Sequence, residues 1–213
     1  MSDRQHSPVD RLLGRLDDAL RTLFSSPSSP RETPATGKTD DAMDASARAL
    51  AGRLMRVNHT GEICAQALYQ GQALTARRPD VREKMQRAAA EENDHLAWTE
   101  TRIREVGSHT SYLNPIFYAG SFALGAAAGL AGDKWSLGFL AETERQVVEH
   151  LTGHLDRLPA QDERSRAIVE RMREEEGRHA TVAIEAGAAE LPEPVKRLMR
   201  FTSKIMTRTT HWV

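Results

Sequence analysis

The chain has 213 residues, 39% hydrophobic, 28% charged and 5% aromatic, with a formal net charge of −1. Such a chain can bury the core of one domain, which excludes disorder throughout, and its wealth of Ala, Leu, Glu and Arg favours helix over sheet. Near-zero net charge excludes the basic field of a nucleic-acid binder, and the single cysteine, Cys64, excludes an internal disulfide and fits a reducing compartment. The opening Met1-Ser-Asp-Arg-Gln-His6 lacks the apolar stretch of a secretory signal, so the expected location is cytoplasmic at least at its start.

Residues 9–24 space Val9, Leu12, Leu13, Leu16, Leu20, Leu23 and Phe24 as one face of a short amphipathic helix. Its charges cancel, so packing on the main body is read ahead of a membrane surface. Residues 25–40 are rich in Ser, Pro and Thr and read as a linker with no reason to fold. Residues 1–44 are therefore set apart from a domain spanning 45–213. That domain opens at the cap-like cluster Asp44–Ser46 with a long helix to about Arg77, stopped by Pro79. One stripe of it carries Ala51, Met55, Asn58, Glu62, Ala65 and Tyr69, and a carboxylate on such a stripe calls for a cation. A second helix follows to about Gly107, with Met85, Ala88, Glu92, His95, Leu96, Thr99 and Ile103 facing inward.

From Glu105 to Asp133 there is no intervening Asp, Glu, Lys or Arg. Leu113–Gly132 is marginal in length for a membrane span and diluted by Ala and Gly. It reads as a buried crossover or as a segment dipping into a membrane interface; a connection this long implies the single crossover of a ferritin-like bundle. The third helix of the bundle is expected over Trp135–Leu158. Its apolar face is Leu137, Leu140, Val148 and Leu151, and Glu144 alone of its acids lies on it: at about 100° per residue Glu142 is about 160° away and Glu149 about 140°. The fourth, about Asp162–Ala189, aligns Ile168, Met172, Glu176, His179, Ala183 and Ala186 and leaves Glu174 and Glu175 off the line as solvated charge. After Pro192 and Pro194 a basic segment carries Lys196, Arg197, Arg200, Lys204 and Arg208, with an apolar face ending at Trp212. It fits an anionic membrane surface, or a fifth helix on the bundle, or both on different faces.

One pattern occurs twice: Glu62 then Glu92-Asn-Asp-His95, and Glu144 then Glu176-Gly-Arg-His179, the lone glutamate preceding by 30 and 32 residues. On a helix, residues i and i+3 share a face, so two lone glutamates and two Glu-x-x-His pairs give four carboxylates and two imidazoles pointing inward. That is the ligand set of a carboxylate-bridged di-iron bundle. Such mixed ligation suits iron or manganese over calcium, and the lack of ligating thiols argues against structural zinc. One glutamate from each half is expected to bridge the two metals. Asn58 and His59, one turn before Glu62, and His150 are candidates to orient the ligands.

Arg56-Val-Asn-His-Thr-Gly-Glu62, Glu91-Glu-Asn-Asp-His95, Asn114-Pro115, Tyr118-Ala-Gly-Ser-Phe-Ala-Leu-Gly125, Gly132-Asp-Lys-Trp135 and Glu174-Glu-Glu-Gly-Arg-His179 resemble the demethoxyubiquinone hydroxylases of ubiquinone biosynthesis. The resemblance covers residues 45–213. It implies a ferritin-like all-α bundle with added terminal helices, two iron ions held by Glu62, Glu92, His95, Glu144, Glu176 and His179, and O2 as co-substrate. It further implies hydroxylation of a polyprenylated benzoquinol ring by a protein peripheral to the cytoplasmic face of the cell membrane, with NADH or the reduced ring supplying electrons. Membrane lipids, other ubiquinone-biosynthesis proteins and a second copy of the chain are the partners this leaves room for. Three rival readings share the bundle. Iron storage has no need of the greasy crossover or basic tail; a rubrerythrin-like peroxidase needs a Cys-x-x-Cys site that one cysteine excludes; a non-enzymatic membrane scaffold would hold no metal.

Overall fold

The computed structural model describes residues 8–40 and 42–213, so the first seven residues and the side chains of Val9 and Leu12 lie outside the described residues. Seven helices carry them: α1 (Pro8–Phe24), α2 (Ala45–Thr75), α3 (Pro79–Glu105), α4 (Asn114–Leu130), α5 (Asp133–Arg157), α6 (Glu163–Glu185) and α7 (Glu193–Thr210). No strand occurs among the described residues. The boundaries have local causes. Asp44 caps α2 by accepting from the Ala47 amide at 2.8 Å, and Pro79 sits in the first turn of α3, where its missing N–H costs nothing. Helix α6 stops four residues short of the expected Ala189. Gly187 takes a φ of 96°, and the Ala188 amide turns back to the Ala183 carbonyl, closing the helix.

Helices α2, α3, α5 and α6 form the bundle, and each passes through the same three layers. One apolar layer holds Leu54 and Met55, Trp98 and Ile103, Leu151 and Leu155, and Ile168 and Met172. The other holds Tyr69 and Ala73, Val81 and Met85, Leu137 and Leu140, and Ala183. The polar residues Glu62, Glu92, His95, Glu144 and Glu176 fall between these layers in the numbering of every helix, and all five are buried. The order of layers makes α2 antiparallel to α3 and α5 antiparallel to α6. Helix α3 ends at the layer opposite the one where α5 begins, so the chain must travel the length of the bundle between them. Helix α4 is that crossover.

It runs alongside α2, with Thr60 bonded to Asn114, Leu68 beside Gly125 and Thr75 beside Gly129. The approach is close because glycine permits it: a Cβ on Gly125 would stand 2.2 Å from the Leu68 carbonyl oxygen, and one on Gly71 2.3 Å from that of Phe122. The expectation of a buried crossover is corrected in one respect. Only the α2 side of α4 is covered, and Ile116, Leu124 and Leu130 are exposed. No helix among the described residues is long and apolar enough to cross a membrane.

The terminal segments divide in the same way. Helix α1 touches the body through Ala19 and Leu23 and through the Thr22 hydroxyl, which donates to Gln66, yet leaves Leu13, Leu16, Leu20 and Phe24 exposed. Helix α7 contacts α2 and α5, and leaves Val195, Leu198, Phe201 and Ile205 in solvent. Residues 25–40 depart from the reading as a linker with no reason to fold. They form little regular structure but lie on the bundle as a strap: Ala35 enters the core, and Asp40 pairs at 2.6 Å with buried Arg102, which also holds Asp162 at 2.8 Å. Ion pairs and buried apolar groups offset the entropy of ordering this stretch, and their partners come from α3 and α6, invisible to local composition.

Candidate metal centre

Two imidazoles and four carboxylates meet between the apolar layers. His95 turns Nδ1 toward Glu92 Oε2 at 2.9 Å, Glu176 Oε1 at 3.1 Å and Glu62 Oε2 at 3.5 Å. His179 turns Nδ1 toward Glu176 Oε2 at 3.1 Å and Glu92 Oε1 at 3.4 Å. Glu92 and Glu176 therefore each present one oxygen to either imidazole, the disposition of a bridging carboxylate and one from each half of the chain. Glu62 flanks the His95 side. Glu144 interacts with Glu176 and accepts a hydrogen bond from the Tyr69 hydroxyl.

The electrostatics are those of a site built for cations. Burial raises the Glu62 and Glu144 carboxyls well above the ordinary range, and their acidic neighbours push in the same direction. Burial opposes charge on both histidines as well. Even so Glu92, Glu175, Glu176 and Glu62 hold His95 well above its ordinary value, and Glu176 and Glu92 push His179 up to about 12. Glu92 itself is held below the usual carboxylate range, against its burial, by those two histidines. Protons thus collect where positive charge is needed. The donor set fits a metal on a second count: Glu62, Glu92, His95 and Glu176 offer ligand atoms all within 4.8 Å of one another, and Glu92 Oε1 and Glu176 Oε1 are buried with imidazole contacts but no well-aligned hydrogen bond. Oxygen and nitrogen donors without thiolate suit iron or manganese.

The outer nitrogens are cross-wired. Nε2 of His95 meets Glu175 Oε2 at 2.8 Å, and Nε2 of His179 meets Glu91 Oε2 at 2.7 Å, so each imidazole is oriented by the acid preceding the opposite Glu-x-x-His. This corrects the reading of Glu175 as solvated charge: it is buried at the seam of α3 and α6, while Glu174 is exposed. Helical phase could not show this, because the seam is tertiary. A signal was available, however, in the doubled acid of Glu91-Glu92 and Glu175-Glu176. Tyr69 was legible too, two turns after Glu62 on the same stripe. The three proposed orienting residues are not brought to the ligands. Asn58 donates weakly to Met55 Sδ at 3.9 Å. His59 is buried with Nδ1 unpartnered, and the His150 ring lies against that of His154, centroids 4.0 Å apart and planes tilted by 55°. Glu142 is buried as well, but under α7, near Arg200 and Gln146 and away from the centre.

The match to known proteins is broad. The family model described as "Ubiquinone biosynthesis protein COQ7" matches residues 49–210. The chain belongs to this COQ7 family. It is 58% identical over 214 aligned residues, all of both chains, to the 3-demethoxyubiquinol 3-hydroxylase of Nitrosococcus oceani. The enzyme of that name from Stutzerimonas stutzeri is 59% identical over 99% of this chain and 98% of its own, and that from Nitrosomonas eutropha 55% identical over 96% and 99%. These COQ7 relatives span α1 and the strap, which lie outside the family model.

Proposed function

We propose that this chain is an O2-dependent di-iron monooxygenase that hydroxylates the ring of a polyprenylated demethoxyubiquinol in ubiquinone biosynthesis. The observation that carries the reading is the paired disposition of Glu92 and Glu176, each offering one oxygen to both imidazoles, in a chain alike over its whole length to enzymes named for that reaction. Glu62 and His95 would complete one metal position, Glu144 and His179 the other. Two iron ions held there would supply the activation of dioxygen, with NADH or the reduced ring as the source of the two electrons consumed, chemistry that side chains cannot perform.

The chain's own residues do the rest. The apolar layers above and below the carboxylates exclude water. The Tyr69 hydroxyl keeps its proton, its pKa raised well above 10.0 by burial and then by Glu144, and donates it as a hydrogen bond to hold that carboxylate. Tyr69 also lines a cavity of about 290 Å³ with Ala73, Met85 and Ala89, roofed by Asp18 of α1. That volume accommodates a substituted benzoquinol ring, and Tyr69 joins it to the metal ligands. A polyprenyl substrate resides in a bilayer, so we place the protein at the cytoplasmic face of the cell membrane, held by the exposed apolar residues of α1, α4 and α7. Arg197, Lys204 and Arg208 add about 1 kcal/mol each at an anionic surface.

Cells lacking the chain should accumulate a quinone short of one ring hydroxyl and its methoxy group. Wild-type protein should restore ubiquinone, and His179→Ala should not. A normal quinone profile with depleted iron stores would instead favour iron storage. Flotation with anionic vesicles should weaken when Arg197, Lys204 and Arg208 become Gln, and unchanged flotation would remove α7 from the membrane contact.

A further inference from the structure

The strap brings one cation to the metal centre. Arg31 Nη2 lies 2.5 Å from Glu175 Oε1, its Nη1 lies 3.2 Å from Asp94 Oδ2, and its guanidinium covers the Trp98 ring at 4.7 Å from the centroid. The opposite oxygen of Glu175 takes Nε2 of His95, and the Trp98 ring stands 5.6 Å from that imidazole. Arg31 is thus seated on both groups that flank His95. Two other arginines approach Glu175, Arg178 at 3.3 Å and Arg171 at 3.8 Å, but both are longer contacts from more exposed side chains on Glu175's own helix. The backbone around Arg31 is anchored independently: Asn93 donates to the Ser28 carbonyl at 2.7 Å, and Asp40 holds Arg102. The matching acid of the other half, Glu91, has no arginine or lysine ion pair among the described residues.

We infer that Arg31 is a positioning residue for one of the two metal positions. By clamping Glu175 against Nε2, it fixes the His95 ring so that Nδ1 points at Glu62, Glu92 and Glu176. The inference rests on the metal-binding reading above and adds to it that residues 25–40, outside the family model, complete the His95 side of the centre. Two features make arginine suited to the place. Its planar fork reaches Glu175 and Asp94 with separate nitrogens while its central carbon sits over the Trp98 ring, a set of contacts the single nitrogen of a lysine cannot reproduce. Its action through Glu175 is confined to His95, because His179 is oriented by a different acid.

The test uses the full chain loaded with cobalt(II), whose release to an excess of chelator is followed by its visible absorption. Wild type should release two equivalents in two phases. In Arg31→Gln the phase from the His95 side should be faster by several-fold, less than the roughly 10- to 100-fold expected when the direct partner Glu175 is lost, and the other phase unchanged. Arg31→Lys should restore part of the difference. Asp40→Asn, which removes a distant strap contact while Asn93 still holds the backbone beside Arg31, should leave both phases near wild type. Three results overturn the proposal while leaving the metal reading intact: release from Arg31→Gln at the wild-type rate, equal acceleration of both phases, or the same change in Asp40→Asn. A wild-type chain that binds no cobalt would sink the metal reading and this inference with it.

Discussion

His95 and His179 hold matching places in the two halves, each with Nδ1 toward Glu92 and Glu176 and Nε2 on the acid that precedes the opposite Glu-x-x-His. Their surroundings differ. The side chain of Glu175 is 8% exposed and lies under the strap among Arg31, Arg171 and Arg178, whereas that of Glu91 is 56% exposed. His95 is sealed and His179 is partly open, 1% against 14% in side-chain exposure. A repeated motif thus fixes which atoms converge, while the non-repeated segments decide how firmly each is held and where small molecules and solvent reach the centre.

The largest expected effect comes from residues shared by both halves. Glu92→Ala or Glu176→Ala should abolish binding of both metal ions and all ring hydroxylation, since each offers an oxygen to either side. Glu142→Ala, buried but engaged with α7, should retain two metal ions per chain by elemental analysis; loss equal to that in Glu144→Ala would mean the phase of α5 is misjudged. Next in size is the contrast between the two outer acids. Glu175→Ala leaves a buried imidazole nitrogen unpaired and should weaken one metal position by about 10- to 100-fold. Glu91→Ala lets water replace the lost partner and should cost several-fold less. Titration with cobalt(II) measures both, and equal losses would erase the asymmetry.

The smallest effect concerns pH, and it separates the histidines of the centre from the others. Burial, with nearby arginine, lowers His59 and His150 to about 4, and burial with His150 lowers His154 to about 2, from an ordinary 6.5. The unfolded chain takes up these protons below about pH 6.5 while the folded one refuses them, so stability falls as the solution is acidified. His95 and His179 act oppositely in the metal-free protein. Their raised values stabilise fully below the ordinary 6.5, and that contribution is lost as pH rises through the folded values. Changing both His150 and His154 to Gln should therefore reduce the stability lost between about pH 6.5 and pH 5 in urea unfolding. An undiminished loss would assign the acid sensitivity elsewhere.

Much of this arrangement was legible because it is periodic. Helical phase separates Glu144 from Glu142 and Glu149, and the structure places Glu144 against Glu176 and Tyr69. The long uncharged connection announced a crossover, and its glycines lie where α4 touches α2. What periodicity cannot express is a partner from another element. Glu175 reads as solvated on α6 alone, and only α3 and the strap bury it. The strap itself has the composition of a linker and is held by Arg31, Ala35 and Asp40, three residues without a pattern. The bare face of α4 left two readings open, a buried crossover and an interfacial segment, because an apolar stretch does not say how many of its sides are covered.

The crossover also bears on the order in which the chain assembles. Helices α2 and α3 form one hairpin and α5 and α6 another, each joined by a short turn and each carrying three of the six candidate ligands. Contacts within a hairpin close short loops and form early, whereas the seam contacts Tyr69–Glu144, His95–Glu175 and Glu91–His179 close loops of 75, 80 and 88 residues. That seam is lined by carboxylates whose mutual repulsion is offset in the metal-free chain only by protons held among them and on His95 and His179. The hairpins can therefore form without metal, and a metal bound as proposed would add cohesion to their joining beyond that of the apolar layers, tying the last step of folding to metal supply. If the centre holds metal as proposed, a cell short of that metal would keep the chain as two formed hairpins with a loose seam, the state its proteases meet first.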